Sequence, residues 1–321
     1  MDTVLILLYL LAAFVALATV LAILFPRRPL LGIAQHWGLQ LWQLGLLGAI
    51  VGILARDWTT IALGAAPALY WSWRLWPRRP AAGTSDGEAL LRLASANLLY
   101  KNRRFERTLQ KIAQLGADVL VLCEVTPEMR ARLRSLDARY PHALDTCTAD
   151  SLYGLAILSR FPLTLRSKGA GEDALPRHLA ADLAIAGRTI TVVAIHPTNP
   201  LRLSRAHRIP GEFEAVAALC RAAPEDLILT GDCNAAGWSR YLQDLERDAR
   251  LSNDRLLRPS WPIWLPPPVR LPLDHIWVRG RVSLRRAELG PRLCSDHLPL
   301  VAEVGSRKSD DRHRGMSMEA G

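Results

Sequence analysis

The sequence predicts a protein of the α/β class, more narrowly α+β, in which an N-terminal bundle of transmembrane helices precedes two packed β-sheets. Long apolar runs without charged residues dominate the first 76 of the 321 residues. From residue 89 onward, apolar segments of strand length alternate with amphipathic segments of helical periodicity. Some of these strands are joined as hairpins and others through helices, a mixture that favours two packed sheets with helices on their outer faces.

Three apolar runs predict three transmembrane helices, at about residues 3–25, 37–55 and 58–76. A helix needs roughly 20 apolar residues to cross the hydrocarbon core of a bilayer. The third run is marginal, with Arg74 extending to the interface. Tryptophans near the ends of the second and third runs suit the headgroup level: Trp37, Trp42, Trp58, Trp71, Trp73 and Trp76. The alternative is a buried helical hairpin of a soluble protein. A cleaved signal peptide is disfavoured, because the first run is too long and no basic residue precedes it.

Arginines around the runs predict an orientation in a bacterial-type inner or plasma membrane. They are Arg27 and Arg28 after the first run, Arg56 (offset by Asp57) after the second, and Arg74, Arg78 and Arg79 after the third. Since basic residues favour the cytoplasmic side, the following domain is expected in the cytoplasm. The opposite orientation stays open, because few charges decide it.

Charge and cysteine content narrow the class of partner. The net charge of +10 suits anionic partners such as phosphate esters, nucleic acid or acidic lipid headgroups, although the arginines are scattered. The five cysteines are odd in number and form no Cys-x-x-Cys pair, which argues against a disulfide framework and a thiolate zinc site.

Composition divides the chain into a membrane region at residues 1–79, a linker of small polar residues at 80–88, a second domain at 89–305 and a disordered tail at 306–321. Helices are expected at Phe105–Ala113, Pro127–Leu136 and Glu212–Cys220. Strands are expected at Leu91–Ala96, Val119–Cys123, Tyr153–Leu158, Leu179–Ile185, Thr189–Ile195, Leu227–Leu229, Leu273–Val278, Val282–Leu289 and Leu298–Val304.

Polar side chains follow or precede several of these strands. They are Asn97, Glu124, His196, the stretch Gly231–Asn234 and the tripeptide Ser295–His297. Acid, amide and imidazole groups gathered at strand ends predict a metal-assisted hydrolytic site. Glu124 follows an apolar run, where a carboxylate is costly unless it binds a cation, and oxygen ligands suit Mg²⁺ or Mn²⁺. An exposed strand-end acid is the alternative.

Asp232 and Asn234 are expected to point to the same side, since they lie two residues apart in extended chain. A carboxylate there can take a proton from water, and an amide can hold a phosphate oxygen. The alternative is a tight turn. The imidazolium of His297 can face a phosphate where charge develops.

Seven short motifs in order resemble the endonuclease/exonuclease/phosphatase superfamily, the DNase I-like metal-dependent phosphohydrolases. The resemblance covers roughly Leu91 to Val304. The motifs are Ala-Ser-Ala-Asn-Leu, Leu-Cys-Glu-Val, Tyr-Gly-Leu-Ala-Ile-Leu-Ser-Arg, Ile-His-Pro-Thr-Asn-Pro, Thr-Gly-Asp-Cys-Asn-Ala, Leu-Asp-His-Ile and Ser-Asp-His-Leu-Pro. The resemblance implies a four-layer αββα sandwich with the active site at one edge of its two sheets.

The resemblance also implies roles for particular residues. The implied metal ligands are Glu124, Asn97 and Asp296. The implied catalytic residues are Asp232, which activates or orients the attacking water, and His297, which is oriented by Asp274. They also include His196, which binds phosphate or the leaving group, and Asn234, which contacts phosphate or metal. Asn199 is expected to assist. His275 is expected to serve packing. The loop Arg258–Arg270, with Trp261 and Trp264, either lines a substrate groove or touches lipid, or is a stiff surface loop.

The resulting functional expectation is a membrane-anchored, Mg²⁺- or Mn²⁺-dependent phosphoesterase that hydrolyses a phosphodiester, foremost of a nucleic acid. A phospholipid or inositol-phosphate phosphohydrolase is the alternative. A non-catalytic membrane module that binds phosphate ligands is a third possibility of another class.

Overall fold

The computed structural model describes residues 3–76, 88–149, 152–171, 173–253 and 257–307. Seven α-helices are described: α1 (Thr3–Leu24), α2 (Gly38–Ala55), α3 (Trp58–Leu75), α4 (Phe105–Gln114), α5 (Pro127–Leu133), α6 (Ile209–Ala222) and α7 (Arg240–Asp248). The strands are β1 (Ala89–Asn97), β2 (Val119–Val125), β3 (His142–Asp145), β4 (Gly154–Ser159), β5 (Leu163–Gly169), β6 (His178–Ile185), β7 (Arg188–Ile195), β8 (Leu227–Asp232), β9 (Asp274–Arg279), β10 (Val282–Leu289) and β11 (Leu300–Ser306).

The strands form two sheets. One has six strands in the order β10-β11-β1-β2-β4-β3, and the other has five in the order β5-β6-β7-β8-β9. The pairs β1/β2 and β7/β8 are parallel, and the remaining pairs are antiparallel. Helices α4 and α6 supply the crossovers that parallel neighbours require.

Alternating side chains of each central strand build the layers. In β2, Val119 and Val121 pack between the two sheets, whereas Leu120 and Leu122 pack under α4 and α5. Helices α6 and α7 cover the outer face of the other sheet. Burial on both faces explains why these strands read as continuous apolar runs. The predicted four-layer arrangement of helices, two sheets and helices is confirmed.

Three elements were not predicted from the sequence. Strands β3 and β5 lie at the sheet edges and are largely solvent-accessible, so they lack a long apolar run. Helix α7 is mostly polar, with a narrow apolar stripe that includes Leu242 and Leu245. The predicted linker at 80–88 and tail at 306–321 lie almost entirely outside the described residues.

The N-terminal region, residues 3–76, forms helices at all three predicted runs. Within the described residues, two helical segments, Ile6–Leu24 and Ile33–Ala55, are long and apolar enough to cross a membrane. The structure thus identifies two such helices rather than the three expected. Helix α3 falls short because it carries threonines in its first turn, Pro67 in its middle and Arg74 near its end.

Helices α2 and α3 pack closely through small residues. A Cβ at Gly64 would collide with the backbone of α2 at Ala49, and one at Gly45 would lie 2.9 Å from the Gly64 carbonyl oxygen. Close backbone approach through small residues is common between membrane helices. Trp71, expected at a membrane boundary, is instead buried, and its indole N–H donates to the Thr19 hydroxyl at 3.1 Å.

The N-terminal region docks on the loop that follows β8. Ala236 and Trp238 of that loop pack into a cluster with Val15, Leu41 and Trp71. Arg74 donates to the backbone carbonyl of Trp238 at 2.7 Å and to Gln243. The contact is close to the site described next, since Asn234 belongs to the same loop.

Candidate active site

The polar residues predicted from the strand ends meet at one edge of the two sheets. Asn97 ends β1 and Asp232 ends β8, while Glu124 lies near the end of β2. His196 follows β7 directly. Because β9 runs antiparallel to β8, its first residue, Asp274, is the partner of Asp232 in the ladder. His297, three residues before β11, completes the group.

Asn97 joins two carboxylates. Its amide nitrogen donates to Glu124 Oε1 and to Asp232 Oδ2, both at 2.9 Å. The amide oxygen accepts from the backbone N–H of Leu99 at 2.9 Å, which fixes the orientation of the side chain. Glu124 Oε2 accepts from the backbone N–H of Tyr100 at 2.8 Å. Two carboxylates that share one amide donor leave further oxygen lone pairs for a cation.

Two histidines flank Asp232. The Nε2 atom of His196 lies 3.5 Å from Asp232 Oδ2 and 3.8 Å from Glu124 Oε1. The Nε2 atom of His297 lies 3.7 Å from Asp232 Oδ2, and its Nδ1 lies 2.8 Å from Asp274 Oδ2. Asp232 is therefore the centre of the constellation, a position that its place in the sequence did not indicate.

The charges of these groups stabilise one another. Burial by itself lowers the pKa of His297, but the carboxylates of Asp274 and Asp232 outweigh it and raise this pKa to about 10. Burial by itself raises the pKa of Asp232, but His297 and His196 outweigh it and hold this pKa well below its usual range. At neutral pH the site therefore holds an imidazolium facing an ionised carboxylate.

The backbone at the site is unusual. Gly231 has φ +146°, and a Cβ there would collide with the carbonyl oxygen of Ile195. Glu124 and Asn234 are in the left-handed region, at φ +57° and +49°. Such conformations cost roughly 1–3 kcal/mol each and concentrate at functional sites.

The expected extended chain from Asp232 to Asn234 is therefore wrong, although both residues line the same cavity. Asn234 turns back instead. Its backbone N–H donates to Asp232 Oδ1 at 2.9 Å, and its amide nitrogen donates to the Pro197 carbonyl at 3.0 Å.

The donor set fits a hard divalent cation. Potential ligand atoms of Glu124, His196 and Asp232 lie within 4.8 Å of one another, and so do those of Asp232, Asp274 and His297. Carboxylate oxygens dominate both groups, which suits Mg²⁺ or Mn²⁺ better than a thiolate-seeking metal.

Asp296 is not brought into either of these groups within the described residues. One of its carboxylate oxygens accepts from the Trp261 indole at 2.9 Å, and the other lies 3.4 Å from the Ser295 hydroxyl. Asp296 instead lines the cavity beside His297.

A cavity of about 230 Å³ opens over this group. Asn199, expected to assist substrate binding, lines it, and so do three residues not selected from the sequence, Tyr153, Arg177 and Arg202. The guanidinium of Arg202 lies 4.5 Å from the centre of the Tyr153 ring and that of Arg177 lies 5.2 Å from it. Single arginines in an arginine-rich chain carry no local signal, so only the fold reveals these two cations.

The buried thiols and His275 beside the site have other roles. Burial raises the pKa of Cys123 and Cys233 well above the ordinary thiol value, so neither is a thiolate nucleophile. All five cysteines are free. The ring of His275 stacks on Trp277 at 5.0 Å, and its Nε2 lies 2.9 Å from the Ala235 carbonyl oxygen, in keeping with the expected packing role.

Comparison with known proteins gives a family and a fold. A family model described as Endonuclease/Exonuclease/phosphatase family matches residues 94–297. No curated protein matches the chain.

Solved structures share the fold at low sequence identity. TDP2 from D. rerio, complexed with a single-strand DNA product, is 15% identical, with a TM-score of 0.55 over 68% of this chain and 100% of that one. An endonuclease/exonuclease/phosphatase from Beutenbergia cavernae is 16% identical, with a TM-score of 0.56 over 68% and 72%. A Staphylococcus aureus beta toxin mutant with bound magnesium ions is 15% identical, with a TM-score of 0.53 over 67% and 99%.

Proposed function

Because the chain belongs to the endonuclease/exonuclease/phosphatase family, whose members are hydrolases acting on phosphoester bonds, we propose that it is a divalent-metal-dependent phosphodiesterase. The supporting observation is the arrangement around Asp232. One carboxylate shares a donor with Glu124 and faces the imidazole nitrogens of both His196 and His297. The alternative of a non-catalytic phosphate-binding module would not need this convergence.

We assign binding of the cation to Glu124, with Asn97 beside it and Asp232 completing the carboxylate set. Bound Mg²⁺ or Mn²⁺ would neutralise charge on the phosphate oxygens. The role of Asp296 as a further ligand stays a proposal from the sequence. Its carboxylate accepts a hydrogen bond from Trp261 and keeps further lone pairs for a cation.

The remaining catalytic roles belong to individual side chains of the site. Asp232 is ionised and accepts a hydrogen bond from the attacking water, which orients that water toward phosphorus. His297 is held as a cation by Asp274 and faces the charge that develops on phosphate. His196 lies on the other side of Asp232 and donates to the leaving oxygen. Asn234 and Asn199 bind phosphate oxygens, and Arg177 and Arg202 add positive charge to the cavity wall.

The test is hydrolysis of bis(4-nitrophenyl) phosphate by the full-length chain in detergent micelles. We expect turnover with Mg²⁺ or Mn²⁺, its loss with EDTA, and a fall of at least about 100-fold in Asp232→Asn. Asp248→Asn, an exposed acid on α7, is the matched control and should keep wild-type turnover. Activity that survives both EDTA and Asp232→Asn would overturn the mechanism. Absence of turnover with any phosphodiester or phosphomonoester would favour the binding module.

We further propose that the N-terminal region anchors the enzyme in a membrane, with α3 as a third, less apolar span. Support comes from the two apolar helices and from large apolar side chains on their outward faces, among them Leu7, Leu10, Phe14 and Leu54. The arginine distribution favours a cytoplasmic catalytic domain. A fluorescent-protein fusion after Gly321 should therefore glow while an alkaline phosphatase fusion stays silent, and the reverse result would place the domain outside.

The substrate proposed first from the sequence is a nucleic-acid phosphodiester. TDP2 of D. rerio, which shares the fold, was solved with a single-strand DNA product. At 15% identity this likeness supports the fold alone. Short single-stranded DNA therefore belongs in the first substrate panel, beside phospholipid vesicles and inositol phosphates.

A further inference from the structure

The cavity over the active site is built by both regions of the chain. The side of the cavity formed by Glu124 and His297 belongs to the catalytic domain, whereas His36 and Trp37 come from the N-terminal region. These two residues end the 3₁₀ turn Ile33–Trp37 that leads into α2. The catalytic domain by itself would lack this wall.

Hydrogen bonds hold the turn against the loop after β8. The backbone N–H of Ala236 donates to His36 Nδ1 at 3.2 Å, which leaves Nε2 as the protonated nitrogen of the neutral ring. The Trp238 indole donates to the Gln35 carbonyl at 2.6 Å, and the Arg240 backbone N–H donates to the Gln35 side chain at 2.8 Å. The position of Trp37 beside the cavity is therefore set by buried contacts.

The same turn determines where the cavity would lie relative to a membrane. Helix α2 has 18 residues and begins immediately after Trp37. At about 1.5 Å per residue it is about 27 Å long, close to the thickness of a bilayer hydrocarbon core. If α2 spans the membrane, Trp37 and the cavity lie at one end of the span, in the headgroup layer where tryptophan is favoured.

The loop 258–270, which carries an exposed tryptophan, lies between the start of α2 and the cavity. Gln40 in the first turn of α2 donates to the backbone carbonyls of Pro268 and Arg270, at 3.4 and 3.3 Å, and so fixes the loop 258–270 beside the helix. Trp264 of this loop is 67% exposed. Its ring centre lies 6.2 Å from that of Trp261, which lines the cavity.

The chemistry of the cavity lining favours an amphiphile over a nucleic acid. Non-specific nucleic-acid binding uses a basic groove that follows the backbone over several nucleotides. Here the only arginines that line the cavity within the described residues are Arg177 and Arg202. Much of the remaining lining is apolar or aromatic: Trp37, Leu99, Tyr100, Pro200, Leu201, Trp261, Leu271 and Leu273.

We infer that the N-terminal region completes the substrate pocket and that the site accepts a phosphodiester carried on a membrane lipid, with Trp37 and Trp264 contacting its apolar part. This inference rests on the proposed phosphodiesterase activity. Water attacks phosphorus, the bond from phosphorus to one ester oxygen breaks, and that oxygen leaves with a proton. The products are an alcohol and a phosphomonoester.

Three esters with one chromogenic leaving group test the inference: hexadecyl, methyl and thymidine-5′ 4-nitrophenyl phosphate. The full-length protein is assayed with Mn²⁺ in dodecyl maltoside micelles, which contain no phosphodiester. We expect kcat/KM for the hexadecyl ester to exceed that of the other two at least about 10-fold, since contact with the tryptophans removes part of the alkyl chain from water. We expect Trp37→Ala and Trp264→Ala to lower kcat/KM for the hexadecyl ester more than for the methyl ester, so that most of this preference is lost. Trp76→Ala, which changes an exposed tryptophan at the end of α3 outside the cavity, should leave all three rates unchanged.

The outcomes distinguish a failure of the lipid-substrate inference from a failure of the proposed phosphodiesterase activity. A preference for the thymidine ester, or a hexadecyl preference that Trp37→Ala and Trp264→Ala do not reduce, overturns the inference and leaves the phosphodiesterase intact. An equal loss of kcat/KM with all three esters in both variants would give the tryptophans a merely structural role and would also overturn the inference. Hydrolysis of none of the three overturns the phosphodiesterase itself, and the inference with it.

Discussion

The N-terminal region and the catalytic domain use the same apolar residue types in opposite ways. In the catalytic domain, leucine, isoleucine and valine fill the spaces between layers, where Leu93, Leu120 and Ile157 are fully buried. In the N-terminal region, large apolar side chains such as Leu10 and Leu54 point outward, and the helices contact one another through glycine and alanine. The domain is therefore built to exclude water, whereas the outward faces of the helices suit a solvent that is itself apolar.

The two regions also differ in what they do with buried polar groups. The catalytic domain concentrates ionised groups at one edge, where Asp232, Asp274 and His297 stabilise one another. In the N-terminal region, by contrast, the buried side chains of Trp71 and Thr19 form a neutral pair. Where the regions meet, an apolar cluster combines with hydrogen bonds and with the exposed ion pair between Arg27 and Asp244.

A buried charge should give the largest difference between the two regions. Ile157→Asp, between the sheets, should prevent folding, because an unpaired buried carboxylate costs a large part of a total stability of about 5–15 kcal/mol. Leu10→Asp, at a site that is 57% exposed on α1, should leave the catalytic domain folded. It should reduce recovery in the membrane fraction, since Asp costs about 3 kcal/mol at the centre of a membrane helix.

Fractionation and turnover of bis(4-nitrophenyl) phosphate measure both outcomes. Unchanged membrane recovery of Leu10→Asp would contradict the proposed lipid-facing role of α1.

A substitution in the contact between the two regions should have the next largest effect, on the stability of the protein. Trp238 is buried among α1, α2 and α3 residues, so Trp238→Ala should lower stability by about 3 kcal/mol. Thermal unfolding in detergent micelles measures this. Trp58→Ala, which changes a tryptophan that is 82% exposed, is the control and should have an effect below about 0.5 kcal/mol. Equal effects would mean that the two regions are not docked in solution.

The next largest effect is expected in the pH dependence of kcat/KM, which should report the protonation of His297. The carboxylate of Asp274 contributes to raising the pKa of His297 to about 10, so the wild-type imidazolium persists from neutral pH to about that value and is lost above it. Asp274→Asn removes the charge, lowers this pKa and moves the basic limb of kcat/KM to lower pH. Between pH 7 and 9 we expect a fall of roughly 10-fold in the variant and a nearly flat profile in the wild type. Parallel profiles would show that His297 does not act as a cation.

The ion pair between the regions should give the smallest effect. Arg27 lies 2.8 Å from Asp244, but its side chain is largely exposed, and Asp244 also pairs with Arg240 and Arg247. In a double-mutant cycle, Arg27→Gln and Asp244→Asn should couple by less than about 1 kcal/mol. A coupling of several kcal/mol would mean that charge, rather than the apolar cluster around Trp238, holds the regions together.

Most helices and strands of the catalytic domain could be predicted from the sequence, because each is indicated by a few neighbouring residues. The run Val119–Leu122, buried on both faces, and the hairpin at Ala186-Gly187 follow from apolar content and turn chemistry over a few residues. Edge strands β3 and β5 escaped prediction because the half-exposed sequence of an edge resembles a loop.

The candidate site was predictable in its membership and less so in its arrangement. Asn97, Glu124, His196, Asp232, Asp274 and His297 do converge. The sequence placed Asp296 with the metal ligands, whereas the fold places Asp232 between Glu124 and His297 and turns Asp296 toward Trp261. The order of motifs along the chain cannot indicate which carboxylate faces the partner sheet.

The sequence by itself determined the two-part organisation, the layered fold and the residue types of the site, since these depend on periodicity and on short motifs. Only the tertiary structure decided that His36 and Trp37 line the same cavity as His297, more than 250 residues later in the chain, and that Arg177 and Arg202 share that cavity. The physical reason is that a cavity wall is made by packing between distant segments. Such packing depends on how whole elements fit together, and no local pattern records it.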